Sequence, residues 1–365
     1  MGLLPLRPQR RHRLTALLVI GLLGTPTSTA AQTIVGVDSL NGDIYAMDPH
    51  SGATTVLGNL GPPFGLWTAM AKDSQGRFFV TLGTTPNPFS IYEVDIATWS
   101  STFVVQTSLN GIRGLAFGPG DVLFAIHDTT VPFGGGPDDL YTIDLLTGSS
   151  TRIGATGFRI LQSLAYGQGS LWSWDFQSEG LVQIDPLTGI ASDVNPLVDD
   201  RDFGVCQTLC FSDNGVLYGG FSTLAVIDPV TGVPAHISKI DDGFGLVTGM
   251  EFLPNQPEPF ALWVQGTAGG PMAVQVSGAT PGATVAILVA YDGGGPISVP
   301  PGRPCAGLRV NLNATTRLLG LTTADAQGAA LLGPALVPAA AREHAHLQAV
   351  DFAACATSNR AKIYL

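Results

Sequence analysis

The chain is short of charge, and of basic charge above all. Asp, Glu, Lys and Arg make up only 12% of its 365 residues, with 17 basic residues against 28 acidic ones. Four of the basic residues, Arg7, Arg10, Arg11 and Arg13, fall in the first 31 positions, which leaves 13 against 28 for the rest. So acidic a chain repels a nucleic-acid backbone, whose binding rests on neutralising phosphates with Lys and Arg, and no nucleic-acid partner is expected. The short patterns that mark zinc peptidases, serine hydrolases and phosphate-binding loops (H-E-x-x-H, G-x-S-x-G and the Walker loop) are missing. The glycine runs at Gly134 to Gly136 and Gly293 to Gly295 lack the strand-to-helix context that phosphate binding needs. Nothing after the N-terminal region has a sustained helical period, and no later apolar run approaches the roughly 20 residues of a spanning helix, so no transmembrane anchor is expected in the mature chain.

What is present begins with a leader. The four arginines are followed by the apolar run "TALLVIGLLG" and the small residues "TSTAA", the order of a secretory signal peptide over residues 1–31, with cleavage after Ala30 or Ala31. Arg10 and Arg11 leave a twin-arginine route open beside the general one. The mature protein is expected to be exported, as a secreted, surface or periplasmic monomer. Its charge is uneven: residues 32–257 hold 23 acidic and 7 basic residues, whereas 258–365 hold 5 and 6. Two domains follow, 32–253 and 260–365, joined by the proline-rich linker 254–259.

The first domain is repetitive. "IYAMDPHSGA" from Ile44 returns as "IYEVDIATWS" from Ile91, "LYTIDLLTGS" from Leu140, "LVQIDPLTGI" from Leu181 and "LAVIDPVTGV" from Leu224. The aspartates at 48, 95, 144, 185 and 228 are spaced as propeller blades are. A second phrase falls between them: "TAMAKDSQGRFFV", "RGLAFGPGDVLFA", "QSLAYGQGSLWSW", "QTLCFSDNGVLYG" and "TGMEFLPN". Period-2 alternation makes these strands. Five equivalent aspartates are turn makers rather than catalysts: each carboxylate accepts backbone N–H groups ahead of it, and Gly supplies a positive φ at the exit. Trp99 replaces that Gly in the second copy, so its turn is expected to be different or looser. The last inner phrase, at Met250 and Phe252, has no second strand after it and is expected to pair with Ile34 to Val37, closing five blades of four strands.

These phrases resemble secreted bacterial propeller repeats of the broad NHL, YVTN and quinoprotein-like kind, over roughly residues 33–253. The resemblance does not extend to a bound quinone. Leu57, Ile153 and Val194 stand where quinoprotein repeats carry a docking Trp, and the adjacent cysteine pair and eight-blade length are missing. No organic cofactor is expected.

Residues 260–365 read as short strands between Gly, Pro and Asn turns, the texture of a small β-sandwich. "VSGATPG", "PCAGL", "TADAQGAA" and "LQAVDFAACATSN" resemble a C-terminal module of secreted bacterial proteins, which implies export and a surface role but no reaction. In an oxidising compartment its two cysteines, Cys305 and Cys355, are expected to form a disulfide. Cys206 and Cys210 fall in an inner strand, too far apart to bridge, and are expected to be free and buried.

The loops at one mouth of the propeller gather the remaining chemistry. Asp128, Asp138, Asp139, Asp175 and Glu179, with Trp67, Trp172, Trp174, Arg113 and Arg201, are the candidate ligand-binding residues. Convergent carboxylates would suit Ca²⁺, with Asp138 and Asp139 as a shared pair, and carboxylates beside tryptophans would suit a carbohydrate or a cation. His344 and His346 share one strand face without an evident third metal ligand. The expected function is an exported binding or surface-interaction protein for an extracellular protein or glycan. The alternative is a secreted hydrolase or lyase with two of these acids at the channel mouth.

Overall fold

The computed structural model describes residues 33–61, 65–84, 86–128, 136–196, 206–220, 223–239, 247–266, 270–291, 295–341 and 344–363. Residues 1–32 lie outside them. The described chain is all-β, with only two single 3₁₀ turns among the described residues, Pro119–Asp121 and Ala339–Ala341. No helix among these residues is long and apolar enough to cross a membrane.

In chain order the strands of the repeat region are β1 (Ile34–Asp38), β2 (Asp43–Met47), β3 (Thr54–Asn59), β4 (Leu66–Lys72), β5 (Phe78–Gly83), β6 (Ser90–Asp95), β7 (Ser100–Gln106), β8 (Ile112–Phe117), β9 (Leu123–His127) and β10 (Asp139–Ile143). They continue as β11 (Ser150–Ala155), β12 (Leu161–Gly167), β13 (Ser170–Asp175), β14 (Gly180–Ile184), β15 (Ala191–Asp193), β16 (Thr208–Phe211), β17 (Leu217–Gly220), β18 (Thr223–Ile227), β19 (Pro234–Lys239) and β20 (Val247–Phe252). They form antiparallel four-stranded sheets, β4 to β7, β8 to β11, β12 to β15 and β16 to β19, each in simple order. The remaining sheet runs β20-β1-β2-β3, because Met250 and Phe252 pair with Gly36 and Ile34. The end of the repeat region is thereby stitched to its beginning.

The leading strands β4, β8, β12, β16 and β20 contact one another in a closed circuit. Apolar clusters fill the gaps between successive sheets. Val35, Val37 and Ile44 meet Trp67, Met70 and Phe78, and Ala69, Phe79 and Ile91 meet Ile112, Leu115 and Ala125. The circuit closes where Cys210 and Tyr218 meet Tyr45, Met47 and Met250. Four-stranded antiparallel sheets packed face to face around a ring are a propeller-like arrangement, in which no sheet needs a covering layer because each covers the next.

The Asp turns repeat in atomic detail. Thr98, Thr147, Thr188 and Thr231 donate through Oγ1 to the aspartate three residues earlier, at 2.9, 2.8, 2.8 and 2.7 Å. The same carboxylates accept the backbone N–H two residues on. These donors hold the carboxyls of Asp95, Asp144 and Asp185 below their ordinary range, the backbone N–H bonds leading at Asp95 and Asp185 and the threonine hydroxyl at Asp144. The turn at Asp95 is not looser, contrary to expectation. Trp99 takes φ 53°, close to the 68–78° of the glycines at this position in the other copies, and its N–H reaches Asp95 O at 2.7 Å. The compensation comes from the neighbouring sheet. Residue 58 is glycine, and a Cβ there would lie 2.4 Å from the Cβ of Trp99, so the tryptophan docks against bare backbone of β3.

The C-terminal strands are β21 (Ala261–Gly266), β22 (Pro271–Ser277), β23 (Thr284–Tyr291), β24 (Ile297–Ser298), β25 (Arg309–Val310), β26 (Arg317–Thr323), β27 (Ala330–Leu336), β28 (Ala345–Asp351) and β29 (Ala356–Lys362). Sheets β21-β22-β27 and β26-β23-β28-β29 share one apolar cluster, in which Leu262, Val274 and Val276 meet Val285, Ile287, Leu347 and Ala361. Ala235 of β19 belongs to the same cluster. Cys305 and Cys355 form a disulfide with Cα atoms 5.2 Å apart. Cys206 and Cys210 are free and buried, packed in clusters on opposite sides of their sheet, and burial pushes the Cys206 thiol up to about 12. The segment 254–259 is tied down by side-chain bonds rather than being a bare spacer: Gln256 Oε1 accepts Thr33 N–H at 2.5 Å, and Glu258 Oε1 accepts Asn214 N–H at 2.9 Å.

Candidate functional site

The leading strands carry a shared irregularity near their N-terminal ends. Register shifts fall at Trp67/Ala69 in β4, at Ile112/Gly114 in β8, across Gln162/Ala165 in β12, and between Gly249 and Val247 in β20. A β-bulge leaves one residue out of the ladder and re-aims its side chain. The residue left out is Thr68 in β4, Arg113 in β8 and Thr248 in β20. In β12 the extra residues follow Gln162, and Ser163 there holds the left-handed φ of 67°. Gln207, just before β16, occupies the matching place in the fifth sheet.

Thr68, Arg113, Gln162, Gln207 and Thr248 are each half-buried between fully buried neighbours. The bulges re-aim Thr68, Arg113 and Thr248 on strands that line the circuit, while Gln162, in register with Trp174, and Gln207 hold the matching places in the other two sheets. Small residues follow them (Ala69, Gly114, Ser163, Thr208 and Gly249), which lets the strands crowd together. A Cβ on Gly114 would lie 2.4 Å from the carbonyl carbon of Ser163, and one on Gly249 2.4 Å from Met70 N. Two of the five are spent on the scaffold. Thr248 Oγ1 donates to Trp67 O at 2.6 Å, and the Thr68 and Thr81 hydroxyls are 2.9 Å apart. The side-chain amides of Gln162 and Gln207 make no hydrogen bond among the described residues.

Arg113 organises the acids beside it. Its Nη2 donates to Asp128 Oδ2 at 2.5 Å, with both side chains largely buried. Asp138 accepts Leu161 N–H through Oδ2 at 2.6 Å, while its Oδ1 is buried without a hydrogen-bond partner. Burial pushes the Asp138 carboxyl up to about 7, with a smaller push from the Asp128 charge, against the pull of the Arg113 guanidinium and the Leu161 N–H. The neighbouring His127 is held below its ordinary range, chiefly by burial, with its Nε2 3.1 Å from Asn110 Oδ1.

The other candidates divide plainly. Asp139 is bound at both oxygens by Arg152, at 2.7 and 2.9 Å. Asp138 and Asp139 therefore do not converge on a shared Ca²⁺: one is turned to the start of β12, the other held by β11. Among the described residues no group of three His, Cys, Asp or Glu side chains is placed to hold a metal, His344 and His346 included. Asp175 makes the β13–β14 turn, accepting Gln177 N–H, Ser178 N–H and the Ser178 hydroxyl. Glu179 closes that turn at φ 54°.

Trp67, Trp172 and Trp174 are 2%, 4% and 0% exposed, so they are core residues and not a stacking platform on the loop face. The physical reason is packing between sheets: Trp67 belongs to the apolar cluster of Val37, Ile44 and Phe78, and Trp172 and Trp174 to that of Leu181, Leu209 and Leu217. Arg201 lies outside the described residues, as do Asp199, Asp200, Asp202, Asp241 and Asp242. At the opposite end of the leading strands, Lys72 Nζ donates to Phe252 O at 2.9 Å, and burial pushes the carboxyl of Glu251 up to about 7 against the pull of Lys72. Gln162, Gln207 and Glu251 were not among the candidates. Alignment of the inner phrases shows the glutamines in a polar column and Glu251 in a column otherwise filled by Ala71, Ala116, Ala165 and Cys210.

No protein family matches the chain, and no curated protein does. Solved structures resemble it weakly. A protein of unknown function from Bacteroides caccae is 11% identical at a TM-score of 0.38, covering 69% of this chain and 84% of that one. A nidogen/laminin complex is 14% identical at 0.38, covering 61% and 86%. The PQQ-bound aldose sugar dehydrogenase of Streptomyces coelicolor is 13% identical at 0.38, covering 67% and 84%. At these identities and scores the likeness carries nothing about ligand or reaction.

Proposed function

We propose that the chain is an exported, monomeric binding protein built on a five-bladed β-propeller of the broad NHL, YVTN and quinoprotein-like kind, with residues 260–365 as a β-sandwich accessory domain. Its ligand, a neutral hydroxyl-rich group such as a glycan, sits at the axial mouth. The observation that carries this reading is the pair of half-buried amides of Gln162 and Gln207, without hydrogen bonds among the described residues, in a ring completed by Thr68, Thr248 and Arg113. An amide both donates and accepts, which is what a sugar hydroxyl requires. The acids of this face support the ring more than they meet a ligand, since Asp128 fixes Arg113, Asp139 is held by Arg152 and Asp175 makes a turn.

A second reading, a glycoside hydrolase, is favoured by one observation. Asp138, with its carboxyl near 7, and the Arg113-bound Asp128 are two acids in contrasting environments, as acid and base catalysis needs. Titration of the intact protein against a panel of neutral oligosaccharides tests both. Binding is expected, and the Gln162→Ala, Gln207→Ala double variant should weaken it at least tenfold, since each lost hydrogen bond to a buried partner costs about 1 kcal/mol or more. A ligand held equally well by that variant refutes the axial site. Release of reducing ends, abolished by Asp138→Asn, would move the assignment to the hydrolase.

A further inference from the structure

A separate polar cleft of about 410 Å³ lies between the first sheet and the C-terminal unit. His50 and Ser51 of the first Asp turn form one wall and Ile237 of β19 another. The C-terminal unit contributes the Gly295-Pro296 pair, Asn311 and Arg360. Among the described residues no acid lines it, in a protein whose acids outnumber its bases.

Arg360, in β29, is half-buried, and its guanidinium makes no ion pair or hydrogen bond among the described residues. The arginines at 77, 113 and 152 each have an aspartate. The His50 wall is held by hydrogen bonds. His50 Nε2 accepts Phe260 N–H at 2.9 Å, which puts the ring proton on Nδ1, 3.3 Å from Asp48 Oδ1. The first turn departs from the other copies at just the two residues that line the cleft. His50 stands where the others have Ala97, Leu146, Leu187 and Val230, and Ser51 where they have threonine. The turn itself needs neither change, because the other copies make it without them.

We propose that this cleft binds a small polar molecule carrying an oxyanion, a carboxylate, sulfate or phosphate group, with Arg360 as its charge partner. The planar fork of the guanidinium suits two-point contact with such a group, and Asn311 offers a further donor. The bound molecule bridges the two units, so it stabilises both against separation. The site is independent of the axial ring.

Calorimetric titration of the full chain at constant ionic strength with glucuronate, inorganic sulfate and inorganic phosphate, and with glucose as the neutral control, tests this. At least one of the anions should bind and glucose should not, and the strongest of the three identifies the anionic group. Arg360→Gln should weaken anion binding at least tenfold, the loss expected when a charge-assisted bond is removed, and Arg360→Lys should fall between. Asn311→Ala should weaken it several-fold, while the Gln162→Ala, Gln207→Ala variant should bind the anion as the parent does. Indifference to all three anions, equal binding of glucose, or an unchanged affinity in Arg360→Gln that melts like the parent would overturn the proposal.

Discussion

Asp138 offers the sharpest test of the axial architecture, because its environment turns into a pH profile. The residue is 1% exposed, accepts Leu161 N–H and has its other oxygen buried without a partner. Burial raises its carboxyl from the ordinary 3.8 to about 7. The folded protein therefore holds a proton between those values that the unfolded chain has released. Stability from this group is full below about pH 4 and is lost as the pH rises through 7. The interval, at about 1.4 kcal/mol per pH unit, puts the loss at about 4 kcal/mol at most. Asp138→Asn removes the titration and keeps an oxygen for Leu161, with a weakened hydrogen bond costing about 1 kcal/mol. The variant should be slightly less stable than the parent at pH 4 and about 2–3 kcal/mol more stable at pH 8. Urea unfolding followed by tryptophan fluorescence at pH 4, 6 and 8 measures this. Glu251, also near 7, slopes the same way but is common to both proteins and drops out of the difference. A difference between variant and parent that does not change with pH would refute the reasoning.

Other consequences follow from close contacts. Gly114→Ala should destabilise by about 1–3 kcal/mol, because its Cβ would press on Ser163 backbone between two strands of the closed circuit, and chemical unfolding reads it directly. Trp99→Gly should be more stable than Trp99→Ala by about 1 kcal/mol, since both lose the packing against Gly58 but only alanine keeps the strain at φ 53°; equal melts would show the position carries no strain. Cys305→Ser should cost up to about 4 kcal/mol, the loop-closure value for a separation of 50 residues, and reductant should lower the melting temperature of the parent but not of the variant.

The scaffold was legible because repetition averages out local ambiguity. One copy of "LVQIDPLTGI" admits a catalytic Asp185, whereas five copies leave only the turn, and the turn bonds are those the residue types demand. The pairing of Met250 and Phe252 with Ile34 and Gly36 was legible from the order of phrases, since a ring with an unpaired edge strand at each end would be left open. The tryptophans were misread for a related reason. Proximity in sequence to variable loops placed Trp67, Trp172 and Trp174 at the mouth, but the pleat decides where a strand residue points, and it points these three into the gaps between sheets.

The site was less legible because its signal is a departure from the phrase and not the phrase itself. A residue ejected by a bulge breaks the alternation that identifies the strand, so Thr68 and Thr248 read as ordinary polar positions in amphipathic strands, and Gln162 and Gln207 read the same way at the matching places. Only stacking the five inner phrases reveals that the polar residue always precedes a small one, which is the combination a crowded circuit requires: a small residue where backbones touch, as at Gly114 and Gly249, and a polar one beside it, ejected from the ladder in three of the five. The same logic sets His50 and Ser51 apart from four copies that fold without them. In a ring of repeats the shared residues specify the blade, and the residues free to differ are those whose surroundings differ. His50 meets the C-terminal strands and the glutamines stand on the strands that line the circuit, so chemistry at either place has to be written in the exceptions.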